Sequence, residues 1–270
     1  MTSYPNCGMA YRLQRVDGVV EVPAWWNVGG TAFHECIREW ETSALDNPEP
    51  STPDTQAERF RHHIAEQTAA TVLSSGINMS AWRVARGGKE DRDWWLDNAP
   101  GWVAAYVTAA LARESHIETV AGMPGMEVEF MWRPAPYLPE VKGFIDQVHR
   151  FPNGDILIRD LKSGSSRPVD SLQLKVYRLA LEDEYGVSAP AWYGDYWLAR
   201  RGEPTRAINL TDRGPIEAEV FNRLAMMDSA EQAGYYMPNP SSLCSACGVR
   251  AACPVMGDPA TARSWTVPTS

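Results

Sequence analysis

The chain has 270 residues, 44% of them hydrophobic and 10% aromatic, which gives enough apolar surface for a substantial buried core and is unlike a disordered, fibrous or collagen-like chain. Its 25 Lys and Arg against 34 Asp and Glu leave a net charge of −9, so the overall field repels polyanions and anionic membranes, and a nucleic-acid partner has to be held locally. No uncharged run exceeds 18 residues (232–249, which holds Pro238 and Pro240), short of the roughly 20 that span a bilayer. With neither a basic start nor a following apolar stretch in residues 1–6, the expectation is a cytoplasmic protein in a reducing compartment, without membrane contact.

In chain order, a cysteine-containing segment over 3–15 leads through Gly18-Val19-Val20-Glu21-Val22 to Trp25-Trp26 and Gly29-Gly30, and a helix is predicted from near Thr31. Residues 42–58 concentrate Pro, Ser, Thr and acids and read as a solvated loop inserted in the fold. From 57 to 112 the pattern is helical, interrupted at Gly76, Gly87-Gly88 and Pro100-Gly101, with Pro100 expected in the first turn of a helix ending near Arg113. After Val120 the period becomes alternating, and strands are predicted over 126–133, 141–151 and 156–162. A helix over 171–185, strands over 191–199 and 205–210, and a helix over 215–233 follow, before a Cys-rich segment and a polar tail. No internal repeat is present, and the sheet needs the first half's helices to cover it. The expectation is therefore one domain over 1–270: a mainly helical part (1–118), a sheet with helices (119–235) and a Cys-rich segment (236–256).

The most informative stretch is Lys142-Gly143-Phe144-Ile145-Asp146-Gln147-Val148-His149, followed by Pro152-Asn153-Gly154-Asp155 and Ile158-Arg159-Asp160-Leu161-Lys162-Ser163-Gly164. Two apolar strands flanking Asn-Gly read as a hairpin, and residues two apart on a strand share a face, which puts Asp160 and Lys162 together. A three-residue loop centred on Gly154 pairs position 146 with 162 and brings Asp146 to that face; a two-residue loop points it away. Two carboxylates and an ammonium on an apolar sheet are costly to bury unless paired or bound to a cation. Mg²⁺ or Mn²⁺ meets that need, and it can hold a phosphodiester oxygen and activate water while the lysine orients or deprotonates it. The bland alternative is an exposed Asp-Lys pair on a hairpin.

This set of motifs resembles the PD-(D/E)XK nuclease superfamily, and within it the RecB-like exonucleases that include CRISPR-associated adaptation nucleases. Gly143-Phe144-Ile145-Asp146 is similar to that family's first metal-binding aspartate, and Asp160-Leu161-Lys162 to its acid-X-lysine motif. The resemblance implies Asp146, Asp160 and the Leu161 carbonyl as metal ligands and Lys162 as the residue assisting the attacking water. Gln173-Leu174-Lys175-Val176-Tyr177 resembles the Gln-X-X-X-Tyr motif of the RecB-like branch, which implies Gln173 and Tyr177 as site residues. The plain reading makes Gln173 a first-turn residue behind an Asp170 cap and Tyr177 a half-buried aromatic. Gly30-Thr31-Ala32-Phe33-His34 resembles the family's Gly-X-X-X-His segment, implying His34 as a further ligand; an imidazole beside carboxylates leans the site towards Mn²⁺. Glu129 is a candidate to complete the acidic cluster, and Glu127, on its face, is the alternative. His62, His63, His116 and His149 have no constellation around them.

Cys244-X2-Cys247-X5-Cys253 lies in a segment with too few apolar residues to fold unaided. Three thiolates at this spacing ask for a metal, and soft ligands select zinc or an iron-sulfur cluster. The fourth ligand is Cys7 or Cys36. Residues 3–13 resemble the N-terminal segment of iron-sulfur RecB-like nucleases, which implies a 4Fe-4S cluster on Cys7, Cys244, Cys247 and Cys253, although Gly8 stands where proline usually follows the first cysteine. Bridging residue 7 to residue 253 makes the cluster a clasp between the chain's ends.

Residues 142–206 carry 10 basic and 9 acidic side chains, a net +1, which leaves −10 elsewhere. Arg167, Lys175, Arg178, Arg200 and Arg201 are candidates to meet phosphates, and Trp82, Trp132 and Trp197, each near an arginine, to stack unpaired bases, against their commoner role in a core. The fold implied by the resemblance is α/β and restriction-endonuclease-like: a central mixed sheet flanked by helices, a helical N-terminal portion and a C-terminal iron-sulfur segment. The implied activity is divalent-metal-dependent exonucleolytic hydrolysis of DNA, on single-stranded ends, in recombination, repair, phage DNA processing or spacer acquisition. Helicase, recombination or integration partner proteins and a homo-oligomer are compatible with it. The rivals are a non-catalytic iron-sulfur DNA-binding adaptor and a zinc-stapled scaffold.

Overall fold

The structure, a computed structural model, describes residues 7–47 and 49–257. The expectations for residues 3–6, Pro48 and the polar tail beyond 257 lie outside the described residues.

Three long helices make up the first half: α1 (Trp25–Asp46), α2 (Pro53–Ser75) and α3 (Arg92–Leu111). Helix α1 starts six residues before the predicted position. Its buried side chains Trp25, Val28, Ala32, Phe33, Cys36, Ile37 and Trp40 recur at three- and four-residue spacing, the signature of one covered helical face. Gly29, read as a break, is instead a contact point: a Cβ there would lie 2.2 Å from the Trp95 ring. The predicted loop over 42–58 shrinks to residues 47–52, because α1 runs on to Asp46 and α2 begins at Pro53, with Thr52 accepting a bond from the Thr55 amide. Pro100 lies in the middle of α3, where it removes one backbone hydrogen bond. Trp95, Ala99 and Val103, before and after it, are buried in the helical core.

The second half builds a seven-stranded mixed sheet. Its four main strands are β1 (Met126–Trp132), β2 (Val141–Arg150), β3 (Ile156–Lys162) and β4 (Trp192–Leu198). β1 and β3 flank β2 antiparallel, and β3 runs parallel to β4 through the crossover helix α4 (Leu172–Tyr185). The predicted strand over 205–210 reduces to two-residue pairings at Glu203–Pro204 and Ile208–Asn209 on the outer edge of β4. Helix α5 (Arg213–Gln232) packs beside α4.

Two cores result. One lies between the sheet and α4 and α5, around Ile145, Ile158, Leu174, Tyr177, Tyr196 and Val220. The other lies between the sheet and α1 to α3, where Leu161, Trp197 and Ala199 meet Phe33, Phe60 and Trp95. A third, small core of Met9, Leu13 and Val249 joins the two ends of the described chain. The Val22 amide donates to Gly248 O at 3.1 Å, and Arg83 bridges the Val22 and Ala246 carbonyls.

The β2–β3 hairpin decides where the acids fall. Arg150 pairs with Ile156 and Gln147 with Arg159, so the loop spans five residues, 151–155, longer than either the two- or the three-residue loop weighed from the sequence. Pro152 has no amide to extend the ladder. The Asn153 side chain closes the wider turn on Asp155, and the Gly154 amide bonds Phe151 O. The odd length keeps the required parity, and one step beyond the last pair Asp146 comes level with Asp160, where the three-residue loop would have put it opposite Lys162.

Candidate metal centre

Beyond Gln147 and Arg159 the β2–β3 ladder stops, and the Asp146 carboxylate takes over the next backbone donor: the Leu161 amide bonds Asp146 Oδ2 at 2.6 Å. On β3, Ile156 and Ile158 face the α4 core, and strand alternation sends Asp160 and Lys162 the same way. Asp160 is 1% exposed. The Lys162 ammonium is 2.6 Å from Asp160 Oδ2 and donates to Gln173 Oε1 at 3.2 Å. Gln173 Nε2 in turn donates to Tyr177 OH at 2.5 Å. The one-turn spacing on α4 therefore makes a chain from carboxylate to lysine to amide to phenol. The N-cap of α4 is Ser171 in place of the expected Asp170, which sits one residue earlier and accepts from the Leu172 amide at 3.2 Å.

From the other side of the sheet, α1 delivers His34. Its Nε2 is 3.0 Å from Leu161 O, and its Nδ1 is 3.6 Å from Glu127 Oε1 and 3.7 Å from Asp146 Oδ2. One ligand atom each from His34, Glu127 and Asp146 lie within 4.8 Å of one another. With Nε2–H donating to the carbonyl, Nδ1 is the nitrogen that faces the carboxylates and would bind a metal on losing its proton, the second-sphere arrangement that orients metal-binding imidazoles. The Leu161 carbonyl thus supports His34 directly. Of the two glutamates on β1, Glu127 enters the cluster, while Glu129 is exposed. Strand alternation predicts a shared face for them. The backbone at Glu127 has φ 48°, a left-handed conformation that breaks the alternation and is sterically uncommon for a residue with a side chain.

The electrostatics show a surplus of negative charge. Burial pushes the Asp146 carboxyl up to about 7, and repulsion from Asp160 and Glu127 adds to it while His34 opposes it. Asp160 is also raised, by burial first, against the pull of Lys162. Burial disfavours a charge on His34, yet Asp146 and Glu127 together outweigh it and raise the imidazole to about 9. Burial holds Tyr177 neutral by raising its phenol. Asp160 Oδ2 is buried and accepts no aligned hydrogen bond despite its close lysine. Buried acids whose charged forms are disfavoured are what a divalent cation would relieve. Carboxylate oxygens with one imidazole suit Mg²⁺ or Mn²⁺.

Several sequence-level candidates have other work. Lys175 pairs with Glu219 at 2.5 Å. Arg178 is buried against Leu210 O and Glu182. Arg200 forks onto Glu90 at 2.7 and 2.8 Å and lies over Trp94, Trp95 and Trp102. Among the described residues, Arg167 and Arg201 form no ion pair. Trp82, Trp132 and Trp197 are 4%, 3% and 1% exposed, so they are core residues and cannot stack bases.

Cys36 is fully buried in α1 among Phe33, Ile37 and Trp40. Cys7, Cys247 and Cys253 gather instead around the small Met9–Leu13–Val249 core. Backbone amides approach the sulfurs: Asn239 N is 3.4 Å from Cys7 Sγ, and Ser241 N is 3.4 Å from Cys244 Sγ. Burial raises the Cys247 thiol, and neighbouring Cys7 and Cys253 reinforce it.

A mixed sheet flanked by helices brings buried acids and a lysine of its central strands together with a histidine of α1, a set able to hold a divalent cation beside a fixed ammonium. A family model of the PD-(D/E)XK nuclease superfamily matches residues 1–254, and the chain belongs to that superfamily. It is 30% identical to the "Gene 69 protein" of Mycobacterium phage D29 and 30% identical to the "Gene 69 protein" of Mycobacterium phage L5, each match covering 94% of both chains. The family acts on DNA with divalent metals. Among the described residues no helix is long and apolar enough to cross a membrane.

Proposed function

We propose that the whole chain acts as one nuclease domain, a divalent-metal-dependent exonuclease that hydrolyses single-stranded DNA ends. Its setting is phage DNA processing or recombination, a reading favoured by the phage relatives. The observation that carries it is the convergence of His34, Glu127 and Asp146 with the buried Asp160–Lys162–Gln173–Tyr177 chain. Asp146, Glu127, His34 and Asp160 hold the cation. A Mg²⁺ or Mn²⁺ held there would supply Lewis acidity to a phosphodiester oxygen and to a water. Lys162 orients that water. Gln173 and Asp160 hold the ammonium, and Tyr177 fixes Gln173, so the lysine stays aimed. The Leu161 carbonyl holds the imidazole.

The second part of the proposal is a 4Fe-4S cluster on Cys7, Cys244, Cys247 and Cys253. Three of these cysteines share one small core, the amide-to-sulfur contacts suit thiolate ligands, and Cys36 is sealed elsewhere. The cluster clasps the N-terminal segment to the C-terminal one.

The test is anaerobic purification followed by incubation with linear and circular single-stranded DNA plus Mn²⁺ or Mg²⁺. Degradation of the linear strand alone supports the exonuclease, and cutting of the circle contradicts it. Absorbance near 400 nm with iron and sulfide supports the cluster; a colourless protein holding zinc contradicts it.

A further inference from the structure

A cleft of about 610 Å³ opens directly beside Lys162, Gln173 and Tyr177. This is within the size range of small-ligand sites. Its walls are apolar, with Phe130, Val141 and Val176 among them, and its mouth carries Lys142 and Arg167. Lys142 is largely exposed, with one contact to Glu140 at 3.4 Å, and Arg167 forms no ion pair among the described residues. The rim carboxylate, Asp170, is paired with Arg223 at 3.1 Å. In a chain of net charge −9, a cleft with two exposed cations beside apolar side chains is complementary to a ligand that is anionic at one end and aromatic at the other.

We propose that this cleft receives the terminal nucleotide of the DNA strand, with the base against Val141 and Val176 and its phosphate between Lys142 and Arg167. The proposal rests on the DNA-cleaving reading of the adjoining site. One nucleotide seated in the cleft puts the scissile bond one unit from the strand end, so cleavage next to it releases single nucleotides. In that step a water oxygen bonds to phosphorus and the ester oxygen departs with the bonding electron pair and takes up a proton. A nucleoside monophosphate and a strand one unit shorter result.

The test uses the full-length protein with Mn²⁺: calorimetric binding of dAMP and dTMP, and sizing of the first products from end-labelled single-stranded DNA. Wild type binds either nucleotide and releases mononucleotides from the earliest time point. The Lys142→Ala/Arg167→Ala double variant, its folding checked by its melting temperature, weakens nucleotide binding and raises KM by about tenfold or more. Its kcat changes far less, and Arg167→Lys restores part of the loss. Unchanged nucleotide binding and KM in the double variant, or first products several nucleotides long, overturn the proposal. Nucleotide binding that the double variant loses, in a wild-type protein that degrades no DNA, upholds the cleft and overturns the cleavage reading instead.

Discussion

Lys162 has two anchors, Asp160 at 2.6 Å and Gln173 at 3.2 Å, so its side chain is aimed from two sides. Lys162→Ala is expected to lower kcat about a hundredfold or more while leaving metal affinity nearly intact, as read by single-turnover cleavage. Gln173→Ala frees the ammonium without removing it, and its loss is expected to be smaller. The cluster also sets a pH dependence. Asp146 rises from 3.8 to about 7 and His34 from 6.5 to about 9, so each binds its proton more tightly in the folded state. The metal-free protein therefore has their full stabilisation below the unfolded values. It loses Asp146's share as pH rises through about 7 and His34's through about 9. Metal competes with those protons, so metal binding strengthens over the same range. Melting temperatures of the metal-free protein are expected to fall from pH 5 to 9 and the increment from Mn²⁺ to grow. A flat increment would show that these groups are not the ligands.

The elements that carry the site are joined behind the sheet by a buried polar network. Glu41 follows His34 by seven residues, about two turns of α1, and Gln147 is next to Asp146. Tyr106 of α3 donates to Glu41 Oε1 at 2.6 Å and meets Gln147 Oε1 at 2.9 Å, while Arg113 forks onto Glu41. Tyr106→Phe is expected to cost about 1–3 kcal/mol in denaturant unfolding. Glu41→Ala, which leaves Arg113 without its buried partner, is expected to cost about 3–5 kcal/mol. Gly29→Ala, forced against Trp95, is expected to cost about 1–3 kcal/mol.

At this scale the sequence was legible where a period or a local motif carries the information. The predicted strand over 156–162 matches β3, and that over 141–151 is one residue longer than β2. Asp160, Lys162, Gln173 and Tyr177 come together because their spacing is local to one strand and one helix. The start of α1 was hidden because a glycine pair required by close packing looks the same as one that ends a helix. Glu127 was indistinguishable from Glu129 because its left-handed backbone leaves no mark in an alternating strand. The tertiary partners of Lys175, Arg178 and Arg200 lie on other elements, so these cations looked free.

For the whole molecule, the acidic balance and the pairing of most cations leave few groups to hold a strand. Binding is therefore expected to rest on a small number of phosphate contacts and to show a shallow dependence on salt. A steep slope would point to a wider basic surface than the described residues present. The two ends of the described chain meet at the small core around Cys7, Cys247 and Cys253. Cys7→Ala is accordingly expected to remove the absorbance near 400 nm and lower the melting temperature. Cys36→Ala should leave the absorbance in place and act only through packing, at a cost of about 1 kcal/mol.

The most direct measurement of the central claim is Mn²⁺ binding and DNA cleavage followed side by side for the wild type, Asp146→Asn and Lys162→Ala. The account predicts that Asp146→Asn loses both metal and cleavage, while Lys162→Ala binds metal and fails to cleave. Cleavage by Lys162→Ala at the wild-type rate, or by Asp146→Asn with its metal still bound, would contradict it.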